Sequence, residues 1–163
     1  MKSLEVYNDC LRSKQMFESA LKSNNLSEAR ILWFSTLTLL RAIGHVLHKI
    51  DSKNKSLEFQ NAVAERYKEW QSNIMFNQFI QEERNAILKE YNFTLDKKDK
   101  SETHNVTHNG EQVIYKGENV VHTVTITQLI KSKGAFAGES PVDVLEKALL
   151  WWQKELKELE EIT

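Results

Sequence analysis

The chain has 163 residues, a single cysteine and nearly balanced charge, with 22 basic and 23 acidic side chains. This length accommodates one domain with a substantial hydrophobic core, so we predict a single domain over residues 1–163. Because Cys10 is alone, an internal disulfide, a cysteine-based zinc site and an iron–sulfur cluster are excluded. A net charge of −1 provides no global positive field for nucleic acid or an anionic membrane, so any such partner has to be bound locally.

The N-terminal sequence MKSLEVYNDCLRSK carries charges where a signal peptide needs an apolar run. No stretch approaches the roughly 18 uncharged apolar residues of a membrane span. We therefore expect a cytoplasmic, soluble protein with no membrane partner.

Hydrophobic spacing predicts helices over the first half of the chain. Residues 3–23 form a first helix, and Asn25-Leu-Ser-Glu28 has the form of a capping box before a dense apolar run to Ile50. This second helix is apolar around most of its circumference, which is typical of a helix at the centre of a bundle. Residues 57–92 form a long helical segment, in which we expect a bend or break near 72–81.

After a polar connection at residues 94–103, the spacing of the hydrophobic residues changes from helical to alternating, which indicates a β insertion. Asn109-Gly110 is a hairpin signal, Gly117-Glu-Asn119 is a second turn, and residues 120–126 alternate as a strand does. We predict a small three-stranded antiparallel meander over about residues 102–127, and we find no internal repeat.

Ser140-Pro141-Val142-Asp143 predicts the start of the last helix, with a capping serine and a proline at the first helical position. Trp151 and Trp152 cannot both face one core, so Trp151 should cover the meander or contact a partner. The predicted fold class is therefore mainly α: a single bundle of four or five helices with a small antiparallel β-meander insertion. We expect the chain to form a homodimer.

Arg84 is the first candidate functional residue. On a straight helix at about 100° per residue, it shares one face with the apolar residues Ile80 and Ile87. A guanidinium keeps its charge and is costly to bury unpaired. We therefore expect in front of it either a carboxylate, from Glu82, Glu83 or a neighbouring helix, or a bound anion.

The segment Arg84-Asn85-Ala-Ile-Leu-Lys89-Glu-Tyr91 resembles the Arg-Asn-x-x-x-His-x-Tyr signature of the HEPN superfamily. These are helical-bundle proteins of prokaryotic toxin–antitoxin and abortive-infection systems and of RNA processing. The register matches at Arg84, Asn85 and Tyr91, and the resemblance covers this motif together with the helical content. In active members it implies a metal-independent ribonuclease without cofactors, in which two protomers bring Arg and His together to assist attack of a 2′-hydroxyl.

For this chain, the resemblance implies that Arg84 steadies the scissile phosphate, Asn85 orders the site and Tyr91 buttresses it. Lys89 stands in the position of the family histidine. A lysine with an ordinary pKa of about 10.4 is a poor general base at neutral pH, although it can hold phosphate as a point charge. The catalytic candidates are therefore Arg84 and Lys89, in a protein with weak or absent cleavage.

A second polar constellation lies on the second helix, where Thr38, Arg41, His45 and His48 form a stripe about 80° wide. The two histidines lack a Glu-x-x-His partner, so we predict no metal site. They are either satisfied structural or surface histidines, or part of a polar pocket shared with Arg84. In that pocket Arg41, His45 and His48 would bind substrate, and one imidazole would replace the missing family histidine.

Two functions stay open. The first is a HEPN-like protein of a toxin–antitoxin or defence system that binds RNA or a nucleotide phosphate and has a cognate protein partner. The second is a non-catalytic homodimeric interaction module in which the same residues hold the bundle together. A third interpretation, a metal-dependent helical enzyme, would centre on His45 and His48. The discriminating feature is whether Arg84 faces an open anion site or a carboxylate.

Overall fold

A computed structural model describes residues 1–162. The five α-helices are α1 (Lys2–Lys22), α2 (Leu26–Val46), α3 (Leu57–Trp70), α4 (Glu82–Glu90) and α5 (Pro141–Glu160). α2 continues through a π-helical turn, Leu47–Asp51, and a 3₁₀ turn, Ser52–Asn54. A π-helical segment, Ile74–Gln81, runs directly into α4. The predicted class, a mainly α fold with an antiparallel β insertion, is confirmed.

α2 lies at the centre of the bundle, as predicted. It packs against α1, α4, α5 and the π-helical segment. Its capping box forms, because the Asn25 side chain accepts a hydrogen bond from the Glu28 backbone N–H at 3.2 Å and donates one to the Glu28 carboxylate at 2.8 Å. The core face of α2 is buried throughout, and it includes Ala29, Leu32, Trp33, Leu37, Leu40 and Ile43.

The continuous helical segment Leu26–Asn54 is long and apolar enough, by length and composition, to cross a membrane. Of its most apolar window, 44% is buried inside the fold. The core helix of a soluble protein has the same properties, and α2 occupies that central position here.

The predicted break between residues 72 and 81 is confirmed. α3 ends at Trp70, and the Asn73 side chain then accepts hydrogen bonds from the backbone N–H groups of Met75 at 2.8 Å and Phe76 at 3.3 Å. These contacts cap the π-helical segment, whose buried residues are Met75, Phe76, Phe79 and Ile80. The break therefore redirects the chain while keeping an apolar face on the core.

α5 joins the bundle through a cluster of aromatic rings. Trp152 is fully buried, with its ring 4.9 Å from that of Trp70 and 6.0 Å from that of Phe76. Trp151 is half-buried and also packs 6.0 Å from both of those rings. The premise that Trp151 and Trp152 cannot both face one core is wrong, because aromatic residues of α3 and the π-helical segment contact both rings. Trp151 packs on the bundle in the described chain, and a contact of its exposed part with a partner stays a prediction.

The start of α5 is where the sequence places it. Pro141 occupies the first turn and Asp143 lies in that turn. The side chain of Ser140 makes no capping hydrogen bond, so its predicted capping role is wrong. The restricted φ of proline is compatible with a helix start without this bond.

The β insertion is a long two-stranded ribbon. β1 (Leu95–Asn105) pairs antiparallel with β6 (Val121–Lys131) over their full length. At its far end, β2 (Thr107–His108) pairs with β3 (Glu111–Gln112), and β4 (Ile114–Tyr115) with β5 (Glu118–Asn119). We call residues 95–131 the arm. The ribbon is about 33 Å long, at about 3.3 Å per residue, and beyond its root, where Leu95, Leu129 and Lys131 pack on the bundle, most side chains on both faces are exposed.

The predicted three-stranded meander over residues 102–127 is wrong in its start and its pairing. The polar stretch assigned to a connection forms most of β1, because the β-branched residues of β6 offer it a complete partner ladder. Cross-strand hydroxyl pairs support this ladder, between Ser101 and Thr125 at 3.3 Å and between Thr103 and Thr123 at 3.2 Å. The arm histidines His104, His108 and His122 are exposed.

Three β-hairpin ends meet at Val106, Val113 and Val120. Their backbone groups form a closed ring of hydrogen bonds: Val106 N–H donates to Val120, Val120 to Val113 and Val113 to Val106, at 2.8–2.9 Å. The side-chain amide of Gln112 donates to all three valine carbonyls, at 3.2–3.3 Å. This junction satisfies the backbone groups of three strand ends without a continuous sheet.

The junction corresponds to a short internal repeat. Residues 106–112 read Val-Thr-His-Asn-Gly-Glu-Gln, and residues 113–119 read Val-Ile-Tyr-Lys-Gly-Glu-Asn. Each unit is one hairpin, and each turn has two residues of positive φ, ending on Gly110 or Gly117 at 85° and 86°. The expectation of no internal repeat is therefore wrong, because a seven-residue unit is too short to be noticed without its pairing.

A buried ion pair holds the root of the arm. Lys131 is fully buried, and its Nζ lies 2.5 Å from Oε1 of Glu83 on α4. The hydroxyl of Thr94 donates to the other Glu83 oxygen, and Lys131 also donates to the Lys133 carbonyl. Because these bonds satisfy both charges, the pair ties the end of β6 to the bundle.

Replacing Gly44 by alanine is expected to lower the free energy of unfolding by about 1–3 kcal/mol. A Cβ at this position would lie 2.8 Å from Cη2 of the tightly packed Trp152 ring. Helix propensity favours alanine over glycine by up to about 1 kcal/mol. A net loss of stability would therefore show that the close contact with Trp152 outweighs this gain. Urea unfolding measures it. In a Trp152→Phe background Gly44→Ala should be neutral or stabilising, and equal destabilisation in both backgrounds would contradict this packing.

Candidate anion-binding cleft

Two arginines from neighbouring helices face one open cleft of about 280 Å³. Its lining residues are Thr38, Arg41, Ala42 and His45 of α2 and Arg84 of α4. They meet because α4 packs on α2, and because the α2 residues recur at helical spacing on one face. We call this site the two-arginine cleft. The structure therefore brings Arg84 together with two of the stripe residues proposed to share a pocket with it.

Arg84 has no carboxylate partner in the described part of the chain. Its Nη1 donates to the side-chain oxygen of Asn85 at 2.9 Å, and its buried Nε has no hydrogen-bond partner. Within residues 1–162, no carboxylate oxygen lies within 4.0 Å of its guanidinium. The expected alternative of an ion pair with Glu82 or Glu83 is wrong, because Glu83 is taken by Lys131.

Arg41 is contacted by two aromatic residues and, within residues 1–162, also has no carboxylate partner. Its Nη2 donates to the Tyr67 hydroxyl at 3.2 Å, and its guanidinium carbon lies 4.9 Å from the centre of the Phe76 ring. Its Nη1 is buried without a hydrogen-bond partner, and none of the ion pairs within residues 1–162 includes it. A buried unsatisfied donor costs about 1–3 kcal/mol, so an acceptor that reached Nη1 would stabilise this arrangement.

The two histidines of the stripe have different positions. His45 is exposed and lines the cleft. His48 lies outside the lining and stacks on Tyr67, with ring centres 4.8 Å apart and an interplanar angle of 16°. Partial burial lowers the pKa of His48, and the nearby Lys49 and His45 lower it further. His48 therefore contacts Tyr67, whose hydroxyl accepts the hydrogen bond from Arg41.

The end of the Arg84–Tyr91 motif lies away from the cleft. Lys89 and Tyr91 are both exposed, and neither belongs to the lining. On a helix, Lys89 is rotated about 140° from Arg84. Tyr91 ends α4 with a left-handed backbone, at φ 50°, and packs on Phe93. Of the motif, Arg84 is in the cleft and Asn85 orients it.

The sequence does not mark the residues that orient Arg41. Tyr67 and Phe76 belong to the hydrophobic stripes of their segments, and nothing in their spacing marks a contact with an arginine of another helix. Only the packing of α3 and the π-helical segment against α2 brings them there.

Neither a metal site nor a reactive thiol accompanies the cleft in the described part of the chain. No group of three or more His, Cys, Asp or Glu side chains within residues 1–162 is placed to share a metal ion. Burial raises the pKa of the Cys10 thiol to about 12, and its sulfur lies 3.6 Å from the Thr36 carbonyl oxygen. Cys10 is therefore a core residue rather than a nucleophile.

The His48 pKa should lie below 6.5 in the free protein, because burial and the neighbouring charges disfavour the imidazolium. Stability should then be highest above about pH 6.5 and fall as the pH decreases towards the folded-state pKa, since the unfolded chain binds the proton more readily. NMR titration measures this. Pyrophosphate in the cleft should raise the His48 pKa and leave the His104 signal unchanged. A His48 pKa of 6.5 or more would contradict this environment.

Comparison of the chain with known protein families, with curated proteins and with solved structures finds no match. The resemblance of residues 84–91 to the HEPN signature therefore stays a prediction. The functional proposal depends on the geometry of the two-arginine cleft.

Proposed function

We propose that the two-arginine cleft binds a phosphate group of RNA or of a nucleotide. The observation that carries the proposal is a pair of guanidiniums, Arg41 and Arg84, that have no carboxylate partner within residues 1–162 and that each keep a buried donor without a partner there. The planar fork of arginine suits phosphate oxygens, and it donates short, charge-assisted hydrogen bonds to them. His45 adds a further polar group at the same opening.

The cleft is organised before any ligand arrives. Tyr67 and Phe76 hold the Arg41 guanidinium on one side, and Asn85 holds that of Arg84 on the other. Side chains that are already ordered lose less conformational entropy on binding. This preorganisation favours specific phosphate binding over the weak attraction of a mobile surface arginine.

We further propose that RNA cleavage is weak or absent. Lys89, in the position of the family histidine, lies outside the cleft lining, and His45 is the imidazole that opens onto it. Any cleavage would therefore use His45 as the general base, with the arginines stabilising the phosphate. We also place the protein in the cytoplasm. Following the HEPN resemblance, we propose that it is a homodimer in a toxin–antitoxin or defence system with a cognate protein partner.

Arg84→Ala and Arg41→Ala should each weaken binding of a labelled RNA by about 10- to 100-fold at low salt, which corresponds to about 1.5–3 kcal/mol for a charge-assisted hydrogen bond. Each variant should also reduce the slope of log affinity against log salt by about one. Fluorescence anisotropy measures both quantities. Arg12→Ala removes an exposed α1 arginine outside the cleft and serves as the matched control. Equal losses in all three variants would mean that binding is nonspecific, and the proposal would fail.

Incubation with labelled RNA in the presence of a chelator tests cleavage. If the wild-type protein cleaves, Arg84→Ala should abolish the activity, and so should the double variant His45→Ala, His48→Ala, because it removes both imidazoles of the stripe. Gel analysis of the products measures the rate. Unchanged cleavage in the double variant would show that neither imidazole participates.

A second candidate function is the non-catalytic homodimeric interaction module. The arm favours it, because neither outer edge of its ribbon pairs with another strand of residues 1–162, and its tip exposes Ile114 and Tyr115 at 63% and 65%. A second copy of the chain would be the partner. Light scattering that shows a dimer, lost in Tyr115→Lys, together with no RNA binding would favour this function over the first.

A further inference from the structure

A second cleft, of about 290 Å³, lies where the arm joins the bundle. Four of its lining residues are apolar: Leu26, Phe93, Leu95 and Leu129. The others are Ser27 and two basic residues, Arg30 of α2 and Lys97 of β1. We call it the arm-root cleft. An apolar lining with two cations suits a flat, uncharged ring that is attached to an anionic backbone.

Arg30 and Phe93 of this lining form a cluster with Tyr91, which lies beside the cleft and outside its lining. The Arg30 guanidinium carbon lies 5.3 Å from the centre of the Phe93 ring and 5.7 Å from that of Tyr91. The two rings meet edge to face, 5.2 Å apart. Arg30 forms no ion pair within residues 1–162, and Tyr91 is 68% exposed. Exposed aromatic faces and unpaired guanidinium planes are the groups on which nucleobases stack.

The backbone at the end of α4 accounts for the exposure of Tyr91. Its φ of 50° is uncommon for a bulky residue and ends the helix, while its N–H still bonds the Ile87 carbonyl at 2.9 Å. The aromatic ring therefore leaves the core face that Ile87 occupies and lies beside Arg30 at the surface.

The arm-root cleft and the two-arginine cleft lie along the same pair of helices. On α2, Arg30 and Arg41 are separated by about 20° around the axis and by about 16 Å along it, at 100° and 1.5 Å per residue. On α4, Arg84 and Tyr91 are about 10 Å apart along the axis. Arg84 lies by Arg41 and Tyr91 by Arg30, so the two helices run antiparallel and the clefts share one face.

We propose that the arm-root cleft is a base-stacking subsite for the strand whose phosphate lies in the two-arginine cleft. A nucleobase stacks on the cluster of Arg30, Tyr91 and Phe93, and Lys97 faces the adjoining backbone phosphate. The distance of about 10–16 Å corresponds to three to five nucleotides, at about 3.4 Å per stacked nucleotide. The bases of a duplex stay inside the helix, so only an unpaired strand fills both subsites. This inference rests on the proposed phosphate binding.

The experiment uses the full chain and RNA hexanucleotides that carry the fluorescent base 2-aminopurine at successive positions. Stacking quenches this base, so we expect quenching three to five nucleotides from the phosphate contact and about tenfold tighter binding of the hexanucleotide than of a dinucleotide. Tyr91→Ala and Arg30→Met should each remove the quenching and the tenfold gain while pyrophosphate binding stays unchanged. Tyr91→Phe keeps the ring and should restore both effects. Tyr115→Ala removes an equally exposed tyrosine at the arm tip and is the matched control.

The outcomes separate this subsite from the phosphate site. If Tyr91→Ala and Arg30→Met retain the quenching while Arg84→Ala loses RNA binding, the subsite is overturned and the proposed function stands. Equal affinity for a duplex and a single strand would also overturn the subsite. If the wild-type protein binds neither pyrophosphate nor RNA, the proposed function itself fails.

Discussion

The buried ion pair between Glu83 and Lys131 is the constraint on which both the arm and the candidate site depend. Lys131 is fully buried at the end of β6, and Glu83 is the acid beside it on α4. Removing either partner would leave an unpaired charge in the core, so the arm root and α4 are held together. Because Glu83 is committed to Lys131, and no other carboxylate of residues 1–162 pairs with the adjacent Arg84, the guanidinium of Arg84 stays available to an external anion.

One face of α2 lies in the core, and another lines the two-arginine cleft. One side fills the core with residues such as Trp33 and Leu37, and Gly44 allows the Trp152 ring of α5 to approach the helix closely. The other side carries Arg41 and His45 at the edge of the bundle. Core packing fixes the position of the helix. The residues on its second face are therefore held in place as well, since both faces belong to one helix. An arginine held in this way is a better phosphate ligand than one on a mobile loop.

The sequence predicted the elements that neighbouring residues signal, and it did not determine which strands pair or which distant side chains meet. The Asn25 capping box, the break before the π-helical segment and the start of α5 at Pro141 were all readable, because capping and helix termination depend on neighbouring residues. The meander and the premise that Trp151 and Trp152 cannot both face one core were wrong because both depend on distant residues. β1 is polar and has little strand propensity of its own, and it forms through its ladder with β6.

For the candidate site, the sequence by itself determined that Arg84 faces the core side of its helix and that Arg41 and His45 share a stripe, since helical periodicity follows from residue spacing. Only the tertiary structure decided that these groups meet in one cleft, that Lys89 lies outside it, and that Glu83 turns to Lys131 instead of Arg84. The packing of whole helices and strands sets which partner a charged side chain takes, because the relative positions of these elements depend on the entire core.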